Sequence, residues 1–312
     1  MSRTAYLFPG QGSQTPGMGS PFHRQWPAVR ECFERLSAGC SLDLEYLCFE
    51  APATELRQTA VTQPAVYAVG IAVAMAMRER HGVTPEIVAG HSLGHLTAAA
   101  FAELFEPDAG LALVAARGWA MQRAAERDGP GSMVAVLGAD FDTVRAACRP
   151  VPGASVAAHN APRQTVISGP EAAVATARES IEARTRARFR PLEVGGAFHS
   201  SVMQQATEAV ATALESTPMA ESRLPIVSDV TADVYTLPDV ARRDLRSQVT
   251  APVDWVGVIE TLRARGVDTV VELPPAGTLS RFANRIDGDM AVFTLDGPET
   301  ADAAIRSMEP HP

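Results

Sequence analysis

The segment Gly90-His91-Ser92-Leu93-Gly94 constrains the fold of this chain more than any other feature. It fits G-x-S-x-G, the pattern of a nucleophilic serine on a sharp turn between a strand and a helix. An apolar run typical of a strand, 86–89, precedes it, and an Ala-rich stretch of helix formers, 93–105, follows it. The glycines suit a turn that leaves no room for Cβ atoms beside the serine. Because the pattern also arises by chance, an ordinary βα turn carrying an exposed serine is the alternative.

Strand patterns and helix patterns alternate along the chain. Apolar runs typical of strands lie at 5–8, 86–89, 226–228 and 269–273. Helical patterns cover 28–37, 63–81, 109–127, 201–216 and 253–265. This alternation predicts an α/β protein with a parallel sheet that is covered on both faces. Phe8, Ala89 and Leu273 each end a strand and lead into a glycine-containing turn, so we expect these turns to meet at one pocket.

The region 129–198 has a different pattern. Asp128-Gly129-Pro130-Gly131 is a strong breaker cluster and a candidate boundary. Beyond it the strands and helices follow in the order β-α-β-β-α-β, at 132–137, 140–148, 155–158, 164–168, 171–186 and 192–194. This order predicts a small ferredoxin-like insert. We therefore expect a large subdomain from residues 1–128 and 199–312 and a small subdomain from residues 129–198.

Composition narrows the possible partners and the compartment. The formal net charge of −9 argues against a general nucleic-acid binder. The four cysteines include no C-x-x-C pair, so we expect reduced thiols and a cytoplasmic protein. The longest apolar stretch, 65–77, is too short to span a membrane, and no membrane partner is expected.

A serine hydroxyl is a weak nucleophile and needs a base. His199 is the preferred base among seven histidines, because it follows small residues and is expected to open a helix near Ser200. A helix N-terminus disfavours the imidazolium and would keep the ring neutral. A histidine that only caps a helix end is the alternative. His91 and His95 lie four residues apart without an H-E-x-x-H pattern or a third ligand, so no metal site is expected.

Arg117 is the second informative residue. Its neighbours at helical spacing are Leu113, Val114 and Met121, so it should point inward. A buried guanidinium needs an anionic partner. That partner is either an internal carboxylate, in a structural ion pair, or the carboxylate of a ligand held in bidentate fashion. The residues alone leave both interpretations open.

Together these segments resemble the malonyl-CoA:acyl carrier protein transacylase family, which includes the acyltransferases of polyketide synthases. The resemblance spans nearly the whole chain. The matching segments are, in order, Phe8–Gln14, Gly90–Gly94, Ala115–Gly118, Asn160–Gln164, Gly196–Ser200, Gln248–Trp255 and Glu272–Gly277. The resemblance implies a hydrolase-like parallel-sheet core with an inserted ferredoxin-like α+β subdomain.

The resemblance also implies catalytic roles. Ser92 would attack the acyl-CoA thioester, with His199 as general base and then as general acid. Gln248 would orient His199 in place of the aspartate of a hydrolase triad. The backbone N–H groups of Gln11 and Leu93 would form the oxyanion hole.

Four residues are implied to contact the substrate. Arg117 would bind the free carboxylate of malonyl. Phe198 would narrow the space beside C2 of the acyl group and disfavour methylmalonyl. Asn160 and His91 complete the expected substrate-binding set.

Two positions depart from the family pattern. The family usually has Glu where His95 stands, and Gly-Pro-Gly or Gly-Pro-x where Pro274-Pro275-Ala276 stands. A specialised acyltransferase for an unusual acyl group or carrier in polyketide biosynthesis is therefore an alternative.

The implied reaction is a ping-pong transfer of malonyl, or a related carboxyacyl group, from CoA through acyl-Ser92 to the phosphopantetheine thiol of an acyl carrier protein. A hydrolase that clears acyl groups from carriers is the competing function. No tightly bound cofactor is expected, and we expect a monomer. Two arginine clusters could steer an acidic carrier, although a solvated charged face is the commoner meaning of such a cluster. They are Arg184, Arg186, Arg188 and Arg190, and Arg242, Arg243 and Arg246.

Overall fold

The computed structural model describes residues 3–127, 129 and 131–308. Asp128 and Pro130, which belong to the predicted boundary cluster, lie outside the described residues. The strands are β1 (Thr4–Phe8), β2 (Ile87–Gly90), β3 (Gly131–Leu137), β4 (Ser155–Ala161), β5 (Gln164–Pro170), β6 (Arg188–Pro191), β7 (Ile226–Val227), β8 (Val234–Tyr235), β9 (Val253–Asp254), β10 (Thr269–Glu272) and β11 (Ala291–Thr294).

Helices fill most of the intervening chain. They are α1 (Ser20–Gln25), α2 (Pro27–Ala38), α3 (Leu44–Phe49), α4 (Ala53–Leu56), α5 (Thr59–His81), α6 (Leu93–Phe101), α7 (Pro107–Arg127), α8 (Phe141–Cys148), α9 (Glu171–Glu182), α10 (Gln204–Ser216), α11 (Pro238–Ser247), α12 (Trp255–Ala264), α13 (Leu279–Ile286) and α14 (Pro298–Met308). A 3-10 turn, Ser201–Met203, precedes α10.

The larger sheet has the strand order β11-β10-β1-β2-β7-β8. Every neighbouring pair is parallel except β7 and β8. All residues of β1, β2 and β10 are buried, as expected for parallel strands covered on both faces. The predicted α/β class with a parallel sheet is therefore confirmed.

The three predicted strand ends lie side by side. β1 is flanked by β10 and β2, and Leu7 is aligned with both Glu272 and Ala89. Since neighbouring parallel strands end at the same edge, the turns that follow them meet there. Residues 9–13, 91–92 and 278, which belong to the three turns, line one cavity, so the prediction that these turns share a pocket is confirmed.

The longest helix, α5, is an interior element. It is long and apolar enough to cross a membrane, but 89% of its apolar window is buried inside the protein. It packs against α2, α6 and α7. The apolar stretch 65–77 is therefore only the middle part of a 23-residue helix in the core.

A second sheet has the order β6-β3-β5-β4-β9. The elements from β3 to β6 occur in the predicted order β-α-β-β-α-β. They enclose a separate apolar core that includes Val136, Val144, Ile167 and Ile181. β9 lies beyond residue 198 in sequence, yet it pairs in parallel with β4.

One predicted strand is wrong. The apolar run 192–194 predicts a strand, but the strand that closes the segment from β3 to β6 is Arg188–Pro191. It pairs with β3 at the edge of the sheet, with Phe189 half-buried between the exposed Arg188 and Arg190. An edge strand that is covered on one face needs an apolar residue only at every second position. The arginines at the positions between them interrupt the apolar run by which a strand would be predicted.

Candidate active site

Ser92 lies between the end of β2 and the start of α6, with φ 53° and ψ −110°. This backbone conformation is sparsely populated for a residue with a side chain and costs of order 1–3 kcal/mol. A Cβ on Gly90 would lie 2.0 Å from the Gly94 carbonyl oxygen, and a Cβ on Gly94 would lie 1.9 Å from that of Phe8. The turn that presents Ser92 therefore requires glycine at both positions.

Hydrogen bonds hold both peptide groups that flank the Ser92 Cα. Its N–H donates to Asp229 Oδ2 at 2.7 Å, and its carbonyl accepts from Gln248 Nε2 at 2.9 Å. Asp229 is fully buried just after β7, and Gln248 is fully buried just after α11. These two partners offset the strain of the turn and fix the direction of the Ser92 hydroxyl.

The ring of His199 is positioned to act on that hydroxyl. Its Nε2 lies 2.9 Å from Ser92 Oγ. Its Nδ1 lies 3.0 Å from the main-chain carbonyl oxygen of Gln248 and 2.9 Å from that of Ala251. Carbonyl oxygens only accept, so Nδ1 carries the proton and Nε2 presents its lone pair to Ser92.

Burial, followed by the positive charge of Arg117, lowers the pKa of His199 to about 3. The ring is therefore neutral near pH 7. The sequence predicts a neutral ring because His199 would lie at the N-terminus of an α-helix. In the structure a 3-10 turn follows His199 instead. Burial and a neighbouring cation, not a helix N-terminus, account for the neutral ring.

Arg117 points inward from α7 and is 1% exposed, as predicted. Its Nη1 donates to Gln63 Oε1 at 2.8 Å, and its Nη2 donates to Gln248 Oε1 at 3.1 Å and to Ser92 Oγ at 3.2 Å. Burial lowers its pKa to about 10, an effect that Asp229 partly opposes. All three acceptors are neutral, and no ion pair of Arg117 is found among the described residues. A buried cation with this set of partners can take the carboxylate of a ligand.

A cavity of about 480 Å³ connects these groups. Ser92, His199 and Arg117 reach it from the larger sheet and its helices, and Met133 and Ala158 reach it from the second sheet. The site therefore lies between the two sheets. Of the predicted site residues, the cavity is lined by Gln11, His91, Ser92, Arg117, Asn160, Phe198 and His199, while Leu93 and Gln248 are buried behind it.

His91 and Asn160 form one wall of the cavity. His91 Nε2 lies 2.8 Å from Asn160 Oδ1, and the His91 ring packs against Trp255. Burial lowers the pKa of His91, although the Asn160 hydrogen bond opposes this. Phe198, 5% exposed, forms part of the apolar lining.

The Gln11 loop touches the serine turn. A Cβ on Gly10 would lie 2.3 Å from the His91 carbonyl oxygen and 3.6 Å from the Leu93 nitrogen. The side-chain amide of Gln11 donates to Thr59 Oγ1 at 3.2 Å. The group that the resemblance assigns to an oxyanion hole is the backbone N–H of Gln11.

Three site residues were missed at the sequence level. Asp229 follows a strand at its carboxyl end, which is a signal that could have found it. Gln63 is a lone amide within the apolar α5, which is a weaker signal. Ala251 acts through its main-chain carbonyl, for which the residue type carries no signal.

His95 belongs to a buried polar cluster rather than to a pair with His91. Its Nδ1 lies 3.4 Å from Asp229 Oδ1, and its Nε2 lies 3.3 Å from Asp244 Oδ2 and 2.6 Å from the Tyr235 hydroxyl. Potential ligand atoms of His95, Asp229 and Asp244 lie within 4.8 Å of one another. The sequence predicts no metal site because no third ligand lies near His91 and His95, whereas Asp229 and Asp244 approach His95 from distant parts of the chain.

Of the two arginine clusters, one reaches the cavity. Arg190 lines its mouth, and Arg281 and Arg285 join it from α13. Arg242 instead donates to the main-chain carbonyls of Leu214 and Thr217.

The fold and the contacts of Ser92 define an α/β protein with a serine–histidine site at the carboxyl edge of a parallel sheet. The sequence matches the family described as acyl transferase domain over residues 5–294, and the chain belongs to that family.

Individual proteins that are similar to this chain have names more specific than the family description. The chain is 34% identical over 313 residues to the malonyl CoA-acyl carrier protein transacylase of Bacillus subtilis, covering 99% of this chain and 98% of that one. It is 37% identical over 289 residues to the polyketide biosynthesis protein ThaF of Burkholderia thailandensis, covering 92% of this chain and 24% of that longer one. A malonyl-transacylase solved in complex with a type II polyketide synthase acyl-carrier protein matches with a TM-score of 0.93 and 30% identity, over 98% of this chain and 100% of that one.

Proposed function

We propose that this protein is a malonyl-CoA:acyl carrier protein transacylase. The observation that carries the proposal is the buried guanidinium of Arg117, which lies 3.2 Å from Ser92 Oγ and has only neutral oxygens as its hydrogen-bond acceptors. A carboxylate on the acyl group would give Arg117 an anionic hydrogen-bond acceptor, which it lacks among its present partners. It would also place the thioester carbonyl beside the serine.

In the first half-reaction Ser92 Oγ attacks the thioester carbonyl of malonyl-CoA. His199 Nε2 takes the hydroxyl proton as the new C–O bond forms. The tetrahedral intermediate collapses with cleavage of the C–S bond, and the imidazolium returns its proton to the CoA thiolate. The products are malonyl-Ser92 and free CoA.

In the second half-reaction the phosphopantetheine thiol of the carrier enters the same cavity. His199 accepts the thiol proton while the sulfur attacks the ester carbonyl. The proton then passes to Ser92 Oγ as the C–O bond breaks, which regenerates the free enzyme. No redox step or additional bound group is needed for this exchange.

The tetrahedral intermediate carries a negative charge on its oxygen, and hydrogen-bond donors are needed to stabilise it. We assign this role to the backbone N–H groups of Gln11 and Leu93. The close approach of Gly10 to the Leu93 nitrogen supports the assignment, because it brings the two turns into contact beside Ser92.

Gln248 is assigned two roles. Its main-chain carbonyl orients the His199 ring, and its side-chain oxygen holds Arg117. Phe198 and the pair His91–Asn160 are assigned to the walls that enclose the acyl group.

Arg190, Arg281 and Arg285 at the mouth of the cavity fit the phosphate of the phosphopantetheine arm and an acidic carrier surface. We further propose a cytoplasmic monomer. Its large subdomain is formed by residues 1–128 and 199–312, and its small, ferredoxin-like subdomain by residues 129–198.

Mass spectrometry of the intact protein tests the proposal. After mixing with malonyl-CoA the protein should gain one malonyl group on Ser92 and lose it to an added carrier protein. Ser92→Ala should gain none, while Ser13→Ala, a change in the neighbouring loop, should still be loaded. An adduct that is lost to water at the same rate with and without carrier would overturn transferase activity in favour of hydrolysis.

A further inference from the structure

The buried cluster behind the nucleophile contains two carboxylates and one histidine that the reaction above does not use. Asp229 is fully buried, Asp244 is nearly so, and His95 is fully buried between them. The groups that face His95 are Asp229 after β7, Tyr235 of β8 and Asp244 of α11, with Arg117 of α7 the next charge.

The side-chain contacts of Asp229 are with nitrogen atoms, which suits an ionised carboxylate. It accepts from the Ser92 N–H at 2.7 Å, and Gln248 Nε2 lies 2.9 Å and 3.1 Å from its two oxygens. His95 Nδ1 adds a third nitrogen at 3.4 Å. The Ser92 N–H and the Gln248 amide are donors, so neither could accept a proton from Asp229. Burial raises the pKa of Asp229, and the nearby His95 is the largest influence that opposes this rise.

Both ring nitrogens of His95 face carboxylate oxygens. Nδ1 faces Asp229 at 3.4 Å and Nε2 faces Asp244 at 3.3 Å. In a neutral imidazole, a lone pair on Nδ1 would face Asp229, and a lone pair on Nε2 would accept from the Tyr235 hydroxyl at 2.6 Å but leave Asp244 without an N–H. An imidazolium presents an N–H to both carboxylates. With Arg117, the doubly protonated ring makes two buried cations for two buried carboxylates. Burial would lower the pKa of His95, but Asp229 and Asp244 outweigh it and raise that pKa.

We propose that His95 is a positioning residue for acyl transfer: as an imidazolium it keeps Asp229 ionised, and Asp229 in turn fixes Ser92 and Gln248. The inference rests on the proposed function.

Asp229 transmits the effect along two routes. It holds the N–H of the strained Ser92, and so the position of the hydroxyl. It also binds the amide nitrogen of Gln248, which turns the amide oxygen toward Arg117 Nη2 at 3.1 Å. A protonated Asp229 would weaken both contacts at once, which would misplace the nucleophile and the arginine together.

Ring-nitrogen chemical shifts test the protonation state directly. In ¹⁵N-histidine-labelled protein at about pH 7, both nitrogens of His95 should have the shifts of protonated nitrogen. The signals can be assigned through contacts of the ring with Tyr235. His91 is the internal control, since burial lowers its pKa and its ring should be neutral. One protonated and one unprotonated nitrogen in His95 would overturn the proposal, as would a stoichiometric metal ion found by elemental analysis.

Kinetics of the variants test the positioning role. We expect His95→Gln to slow acylation of Ser92 by malonyl-CoA roughly tenfold to a hundredfold at about pH 6, with little change in malonyl-CoA affinity. Part of the rate should return at higher pH as Asp229 loses its proton. Combining His95→Gln with Asp229→Asn should be no slower than the slower single variant. His23→Gln, which removes a partly buried pair with Glu45 outside the cavity lining, is the matched control and should leave the rate unchanged.

A merely structural role predicts losses that are independent of pH and add in the double variant, and this outcome would contradict the proposal. Failure of the proposed function is distinguishable. It would appear as wild-type protein that never forms malonyl-Ser92, whereas the ring-nitrogen shifts of His95 require no turnover.

Discussion

The guanidinium of Arg117 donates a hydrogen bond to the Oγ of Ser92 at 3.2 Å from a position that is 1% exposed. A permanent cation therefore lies beside the nucleophile before any substrate is bound. Its three acceptors, on Gln63, Gln248 and Ser92, are neutral. In the proposed mechanism, this position lets Arg117 hold an acyl carboxylate while it donates to the hydroxyl that receives the acyl group.

Replacing Arg117 should slow acylation by charged acyl groups more than acylation by neutral ones. We expect Arg117→Ala to lower the acylation rate with malonyl-CoA about a hundredfold or more, because a buried charge-assisted contact is lost. Acylation by acetyl-CoA should change far less. The malonyl-CoA acylation rate of Arg117→Lys should lie between those of the wild type and Arg117→Ala, because lysine keeps the charge and loses the bidentate geometry. Stopped-flow measurement of CoA release gives both rates, and equal losses for the two donors would show that Arg117 is only structural.

The pH dependence of acylation should reflect a base that stays neutral in mild acid. Burial and Arg117 lower the pKa of His199 to about 3, below the ordinary value of about 6.5. Because the neutral ring is the active form, activity is retained above the lowered pKa and is lost only as the pH falls toward it. We therefore expect no loss from this group between about pH 7 and pH 5. An acid limb of kcat/KM for malonyl-CoA centred near 6.5, and absent from the residual rate of His199→Ala, would contradict this.

Phe198 should limit the size of the acyl group. We expect Phe198→Ala to raise the methylmalonyl-to-malonyl ratio of kcat/KM about tenfold or more, since one extra methyl group is worth roughly 1–3 kcal/mol of discrimination. Phe198→Leu retains most of the bulk and serves as the control. A ratio that is unchanged in both variants would place the selectivity elsewhere in the cavity.

Glu272 should stabilise the loop that carries Thr278 and Leu279 into the cavity lining. Its fully buried carboxylate accepts hydrogen bonds from the backbone N–H groups of Gly277, Thr278, Leu279 and Ser280. Glu272→Gln turns an amide NH₂ toward some of these donors, so we expect a loss of about 2–4 kcal/mol in the free energy of unfolding. Urea denaturation measures it, with the exposed Glu260→Gln as a control that should be neutral. A loss below about 0.5 kcal/mol for Glu272→Gln would contradict this role.

Much of the site could be predicted from sequence because its signals are local. The serine turn needs glycines at fixed offsets, and the inward direction of Arg117 follows from the apolar residues one helical turn away. The meeting of three turns follows from the geometry of parallel strands. These features depend on short segments, and the structure agrees with each of them.

Other features depend on contacts between distant segments. The pairing of β9 with β4 joins Ala158 to Val253, and the hydrogen bond between Ser92 and Asp229 joins residues 137 positions apart. The low pKa of His199 was expected, but its cause, burial beside Arg117, is a tertiary effect. His95 was singled out only as a departure, because one sequence does not show which carboxylates will surround a buried ring.

The most direct test of the acyl-transfer mechanism is intact-protein mass spectrometry of a single turnover, with the modified residue located by peptide mapping. We predict one malonyl group on Ser92 after exposure to malonyl-CoA and its stoichiometric appearance on the phosphopantetheine of a carrier protein added afterwards. A protein that carries no malonyl group on Ser92, or that releases it only as free malonate when the carrier is present, would contradict the mechanism.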